Sequence, residues 1–231
     1  MTENNEFLYE THLHTSPVSK CARASVRETL EYYKSLGYTG VFITNHFLDG
    51  NVAADKALPY KDQLDFFFSD YEEGVRIGKE IGLDVFLGIE CAYMGTDFLV
   101  YGLSKEWYYD HPEIMDMSKK EELTFMAEHG ALVIHAHPFR EAKYIECMRL
   151  YPRSVHGVEV YNANRTEFEN KLALQYAENY ELIHFAGSDN HTADKQKKLG
   201  GMKSSTRITS ELDFVTGVKN GDITPFSKLV E

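Results

Sequence analysis

Thiols are scarce in this chain. Cys21, Cys91 and Cys147 are the only cysteines in 231 residues, odd in number and far apart. That pattern excludes a disulfide framework and the paired spacing of zinc fingers, and it fits a reduced compartment. Basic residues are outnumbered, 24 Lys and Arg against 36 Asp and Glu, for a formal net charge of −12. Such a balance argues against a nucleic-acid polymer as partner, because that backbone is gripped through clustered cations. Some of the acidic excess is of the kind that bound cations neutralise. No apolar run approaches the ~20 residues needed for a membrane span, and the polar start Met1–Glu6 does not read as a signal peptide. A soluble, cytoplasmic protein without a membrane partner is expected, its oligomeric state left open. No low-complexity linker or composition break divides the chain, so residues 1–231 are expected to form a single domain.

What the chain has instead is a regular alternation of short apolar runs and amphipathic stretches. Ser25-Val26-Arg27-Glu28 is a capping box, and apolar residues recur at Val26, Leu30, Tyr33 and Leu36 before the stop at Gly37. Residues 40–44 read as a strand covered on both sides, 49–60 as a loop, and 64–81 as a long helix ended by Gly82. Strands are predicted at 83–89 and at 98–101, the second after a turn at Met94-Gly95-Thr96. A second capping box, Ser118 to Glu121, opens a helix to about Glu128, and residues 131–134 form the next strand. Strands at 157–161 and 182–186 flank a helix over 167–180, and a short strand near Arg207-Ile208 precedes a helix over 210–220. This alternation implies a parallel sheet, and seven or so such units favour a closed α/β barrel.

The histidines keep phase with that alternation. His12 and His14, two residues apart at the end of the first strand, project to one face. A lone His-x-His is weak evidence, but His46, Glu90, His137, Asp189 and His191 each follow directly on another predicted strand. In a parallel barrel all these ends face one rim, where catalytic groups collect. Five imidazoles and two carboxylates exceed one tetrahedral zinc site. They point to two or more divalent ions bridged by Glu90, able to hold a hydroxide and clamp a phosphoryl group. Mixed nitrogen and oxygen ligands admit zinc, manganese or iron. His135, two before His137 and so on its face, reads as a supporting or packing residue, and Glu159 as structural. His111, His129, His156 and His184 lack the strand-end placement.

Five segments carry a family likeness: Thr11-His12-Leu13-His14-Thr15, Ile43-Thr44-Asn45-His46, Gly88-Ile89-Glu90, Ala136-His137-Pro138 and Gly187-Ser188-Asp189-Asn190-His191. In this order, over nearly the whole chain, they resemble the PHP (polymerase and histidinol phosphatase) family of metal-dependent phosphoesterases. The resemblance implies an α/β fold, a distorted (β/α)7 barrel of the PHP type. It also implies a two- or three-metal centre held by His12, His14, His46, Glu90, His137, Asp189 and His191, and histidinol-phosphatase-like hydrolysis of a small phosphorylated substrate. Two departures bear on the third ion. Members often carry Asp or His where this chain has Val18-Ser19-Lys20-Cys21, and a His in the region of residues 97–104, which here contain none. A two-metal site, or a third ion with Asp97 or Cys21, both remain open.

Arg140, Lys20, Arg23 and Arg165 are the candidate substrate-binding cations, able to fork hydrogen bonds to phosphate. Asp189 and His137 are the catalytic candidates, with Asp189 or an unliganded imidazole such as His135 assisting proton transfer. Trp107-Tyr108-Tyr109 either cover a substrate or pack over the barrel mouth. Two other classes stay open: a metal-dependent hydrolase of a C–N or C–O bond, and a non-catalytic, metal-stabilised binding domain.

Overall fold

A computed structural model describes residues 6–230. Among them, nine strands form one mixed sheet: β1 (Phe7–Glu10), β2 (Gly40–Ile43), β3 (Asp84–Tyr93), β4 (Thr96–Tyr101), β5 (Leu132–Ala136), β6 (Gly157–Asn162), β7 (Ile183–Gly187), β8 (Lys198–Ser204) and β9 (Ile223–Leu229). The helices are α1 (Val26–Ser35), α2 (Tyr60–Ile81), α3 (Lys105–Asp110), α4 (Lys119–Glu128), α5 (Glu167–Asn179) and α6 (Glu211–Asn220). No helix among the described residues is long and apolar enough to cross a membrane. The capping boxes at Ser25 and Ser118 both form, and a third forms at Thr166 with Glu169.

The spatial order is β7-β6-β5-β4-β3-β2-β1-β8-β9. The expected all-parallel sheet is corrected at two reversed strands, β4 and β8. β4 runs antiparallel to both β3 and β5, β8 to β1, and β9 to β8. The reversal at β4 has a local cause. Met94 and Gly95 both take positive φ, 52° and 84°, as a two-residue hairpin turn requires. A parallel return needs a dozen or more residues. Residues 207–208 are not a strand; Ile208 is buried and its N–H donates to Tyr9 Oη. The strand before α6 is β8, where Gly200 and Gly201 break the apolar alternation that would have marked it. Beyond α6, β9 pairs only with β8, and an edge position of that kind tolerates Pro225.

β7 approaches β8 to bring the sheet close to a closed barrel. The seam depends on glycine: a Cβ on Gly200 would lie 2.6 Å from the Gly187 carbonyl oxygen. Gly200 N–H donates to Ser188 Oγ across this seam at 2.9 Å. Inside the barrel, Tyr9, Phe42, Phe86, Leu99, Tyr101, Ile134 and Phe185 form an aromatic-rich core. α6 closes one end, with Phe214 against Phe42 at a ring-centroid distance of 4.3 Å and Val215 and Val218 beside it. Towards the other end, Tyr101 Oη donates to the Thr11 carbonyl at 2.7 Å, so the core supports the segment carrying His12. Outside, α2 and α4 cover β3, β4 and β5 through Phe67, Phe68, Leu123 and Met126. α1 covers β1 and β2, and α5 covers β6. Tyr108 of α3 is buried in that outer layer, packing on Phe47 and Phe68. The Trp107–Tyr109 stretch therefore lies on α2 and does not line the cleft described next.

Candidate metal centre

Alternation along each strand decides which polar side chain enters the open end. On β3, Leu87, Ile89 and Cys91 face the outer helices, while Phe86 joins the barrel core, so Glu90 shares the inward parity. On the antiparallel β4 the rim residue comes from the strand's beginning, which brings in Asp97 beside Leu99 and Tyr101. A search confined to strand C-termini misses such a position. His137 and Asp189 lie just past β5 and β7 with φ of 25° and 51°. Backbone in that region is uncommon for residues other than glycine and concentrates at functional sites.

Glu90 is 1% exposed, and neither of its oxygens makes an aligned hydrogen bond to the protein. Oε1 lies 3.2 Å from His12 Nε2 and 3.3 Å from His137 Nε2, and Oε2 lies 3.5 Å from His14 Nε2 and 2.6 Å from His46 Nδ1. One carboxylate thus faces four imidazoles, two on each oxygen. Asp189 Oδ1 stands 3.6 Å from His12 Nε2, 3.5 Å from His14 Nε2 and 3.4 Å from His191 Nδ1. All seven sequence-predicted ligand residues converge here. His12, His14 and Glu90 form one group able to hold an ion, His12, His137 and Asp189 another, and His14, His46 and His191 a third. Asp97 joins Glu90 and His137 in a fourth.

Hydrogen bonds around the cluster set which ring nitrogen faces inward. His12 Nδ1 donates to Glu159 Oε1 at 2.9 Å, leaving Nε2 as a lone-pair donor. Ser19 Oγ gives its single proton to Asn45 Oδ1 at 2.9 Å, so it accepts from His14 Nδ1 at 3.2 Å, and His14 Nε2 also presents a lone pair. The two Nε2 atoms are 3.2 Å apart. Two lone pairs at that distance repel unless a proton or cation lies between them. Nitrogens bound at ~2.0–2.1 Å in tetrahedral fashion stand about 3.3 Å apart. The donor set and its spacing fit a divalent ion.

Burial alone would raise Glu90, but His46 and His12 hold it well below the usual carboxylate range, and His12 and His14 do the same for Asp189. Burial opposes the charged form of His12 as well, yet Glu159, Asp189 and Glu90 hold it well above an ordinary imidazole. His14 is pushed well below by burial and by His191 and His46. Burial would likewise raise the Cys21 thiol, but hydrogen bonds with His191 and His46 bring it down to about 6.

Two supporting carboxylates escaped the sequence reading, and a third was read only as structural. Glu10 is fully buried and accepts from the N–H groups of Thr11, His12 and Ser188 at 2.9–3.0 Å, tying the His-x-His segment to the end of β7. Its place directly before that segment was the available signal. Asp70 of α2 accepts from Thr15 Oγ1 at 2.7 Å and Asn45 Nδ2 at 3.1 Å, fixing the first rim loop. Glu159 accepts from His137 N–H at 3.1 Å as well as from His12, so it positions two of the convergent residues.

The cluster opens into a cleft of about 700 Å3 lined by Cys21, His46, Asp97, Arg140, Arg165 and Asp189, among others. Arg140 pairs with Asp97 at 2.7 Å, and Arg165 lies 3.9 Å from Asp189. Each keeps a buried Nε without a protein partner. Lys20 and Arg23 do not line this cleft; Lys20 is exposed and Arg23 borders a separate depression beside α1. His135 does not line it either. It faces the outer layer, stacked on Phe98 at 5.0 Å, because the chain turns at His137 and the two rings part company.

No family model and no curated protein matches the chain. Among solved structures it is similar to a two-domain protein from Bacteroides vulgatus described as containing a predicted PHP-like metal-dependent phosphoesterase. The TM-score is 0.68 at 14% identity over 97% of this chain, which spans 66% of that one. A protein from Bifidobacterium adolescentis, named as a candidate metal-dependent phosphoesterase, gives 0.54 at 15% identity over 80% of this chain and 88% of that one. A Chromobacterium violaceum protein, named an amidohydrolase with bound sulfate and no metal, gives 0.53 at 10% identity over 94% and 97%. Likeness at such identity shows the fold: a distorted α/β barrel of the PHP type, with mixed strands.

Proposed function

We propose that the chain is a metal-dependent phosphoesterase acting on a small phosphate ester, with two or three divalent ions held by His12, His14, His46, Glu90, His137, Asp189 and His191. The observation that carries this reading is Glu90, a buried carboxylate with no aligned protein partner, set between four imidazoles at the floor of an open cleft. Ions bound there would supply Lewis acidity and lower the pKa of a water.

The chain's own residues supply the rest. Arg140 and Arg165 present guanidinium donors across the cleft and bind the phosphoryl oxygens. Asp97 holds Arg140 in place by their 2.7 Å pair. Glu159 and Ser19 lock the rings of His12 and His14. Asp189 keeps Oδ1 toward His12, His14 and His191 and Oδ2 toward Arg165, and, held ionised by these neighbours, accepts hydrogen bonds at the cleft floor. The paired arginines beside an acidic cluster favour an anionic phosphoester over an amide.

A panel of small phosphomonoesters, with amides and lactones as controls, tests the reading on protein loaded with zinc, manganese or iron. Phosphate release is expected. Arg165→Ala should raise KM about tenfold or more, the worth of one or two charge-assisted hydrogen bonds, with little change in Tm. Turnover of amides or lactones alone would replace the phosphoesterase reading, and an unmoved KM would remove Arg165 from the substrate site.

A further inference from the structure

We propose that Cys21 supplies a thiolate ligand to the metal centre, sharing a subsite with His46 and His191 at the mouth of the cleft. The inference rests on the metal-centre reading above and extends it to a residue outside the seven strand-end ligands.

Cys21 lies in the loop between His14 and α1, and backbone bonds hold that loop on both sides of the thiol. Lys20 N–H donates to the Asn51 carbonyl at 3.0 Å, and Arg23 N–H to the His191 carbonyl at 2.8 Å. The sulfur is thereby fixed between the segment that follows His46 and the segment that carries His191. Sγ stands 3.1 Å from His46 Nε2, and Cys21, His46 and His191 line the cleft together. His46 Nδ1 faces the Glu90 carboxylate and His191 Nδ1 donates to the Asp189 carbonyl at 2.9 Å, so both Nε2 atoms present lone pairs, and a neutral thiol has a proton for only one of them. A thiolate and a cation satisfy the sulfur and both rings together. Independently, the opposite edge of His46 faces Glu90 Oε2 at 2.6 Å, and that oxygen is buried without an aligned partner. The arrangement is carboxylate, imidazole, cation site, thiolate, in which a carboxylate orients a ligating ring from behind. Among the three cysteines, Cys91 is buried under the outer helices and Cys147 is exposed away from the cluster, so only Cys21 meets imidazoles.

A sulfur ligand changes which ion the position selects. Soft thiolate favours zinc or cobalt(II) over magnesium or manganese, which prefer oxygen. This subsite would therefore be the zinc-selective part of the centre, beside positions richer in carboxylate.

Cobalt(II) alone serves as the probe, added to the full chain and to its Cys21→Ser and Cys147→Ser variants. Wild type and Cys147→Ser should show visible ligand-field bands together with thiolate-to-cobalt charge transfer in the near ultraviolet. Cys21→Ser should keep ligand-field bands and lose the charge transfer. Zinc should also slow alkylation of Cys21 in the wild-type chain while leaving Cys147 unchanged, a comparison that needs no variant. Charge transfer that persists in Cys21→Ser, or is missing from wild type that retains cobalt, would overturn this inference alone. Failure to retain cobalt at all would overturn the metal-centre reading with it.

Discussion

Glu90 and His135 are both buried polar side chains without protein hydrogen-bond partners, and their surroundings give them opposite meanings. Glu90 faces imidazoles and a cleft. His135 is enclosed by Phe98, Tyr151 and Tyr176, with no carboxylate within ion-pair distance. Burial, with His137 adding to it, drives the His135 imidazole down to about 3. The sign follows from linkage. The unfolded chain takes up this proton as pH falls through ~6.5 and the folded chain does not until about 3, so His135 costs stability progressively across that window. His135→Phe keeps the stacking and removes both the titration and two unpaired nitrogens, each worth ~1–3 kcal/mol when buried. The variant should melt at least a few degrees above wild type at pH 5, with the gap narrowing towards pH 7 and activity retained. Loss of turnover at unchanged metal content would instead make His135 part of the chemistry. Sequence spacing placed this ring beside His137, since residues two apart share a face. That rule holds only while the strand continues, and the positive φ at His137 ends it.

At the level of elements, strand ends and caps were legible because they depend on local chemistry. The boxes at Ser25 and Ser118 start α1 and α4 where the residue pattern puts them. Strand direction was legible only in part: the Met94-Gly95 turn that reverses β4 is local, whereas the reversal of β8 depends on pairing with distant β1. The β7–β8 seam depends equally on contacts between distant residues, and it couples fold to site. A Cβ at Gly187 would lie 2.5 Å from His12 Cβ and 2.7 Å from Glu159 Oε1. Gly187→Ala should therefore cost about 1–3 kcal/mol by overpacking and weaken metal retention by displacing the His12–Glu159 pair. Gly130→Ala is the comparison. Its φ of 96° strains any side chain, but nothing lies within 4 Å of the added carbon. Thermal melts with metal analysis should show both variants destabilised and only Gly187→Ala depleted of metal. Equal metal content would separate the seam from the site.

Across the whole molecule, the seven strand-end residues come from five separate segments, from His12 to His191, and meet at one end of the barrel while α6 closes the other. That convergence was foreseeable because each residue follows an apolar run that must be a strand, and strands of one barrel share a rim. The cleft's cations were only partly foreseeable. Arg140 and Arg165 line it, whereas Lys20 and Arg23 follow a loop whose backbone is turned by its bonds to Asn51 and His191. On the proposed function, this convergence binds divalent ions. Elemental analysis by plasma mass spectrometry, on full chain purified without chelator, addresses it directly, with Glu90→Gln measured alongside. Wild type should carry about two or three equivalents of zinc, manganese or iron, and the variant fewer. A value near zero that persists after incubation with each metal would contradict it and leave the histidine cluster a structural one.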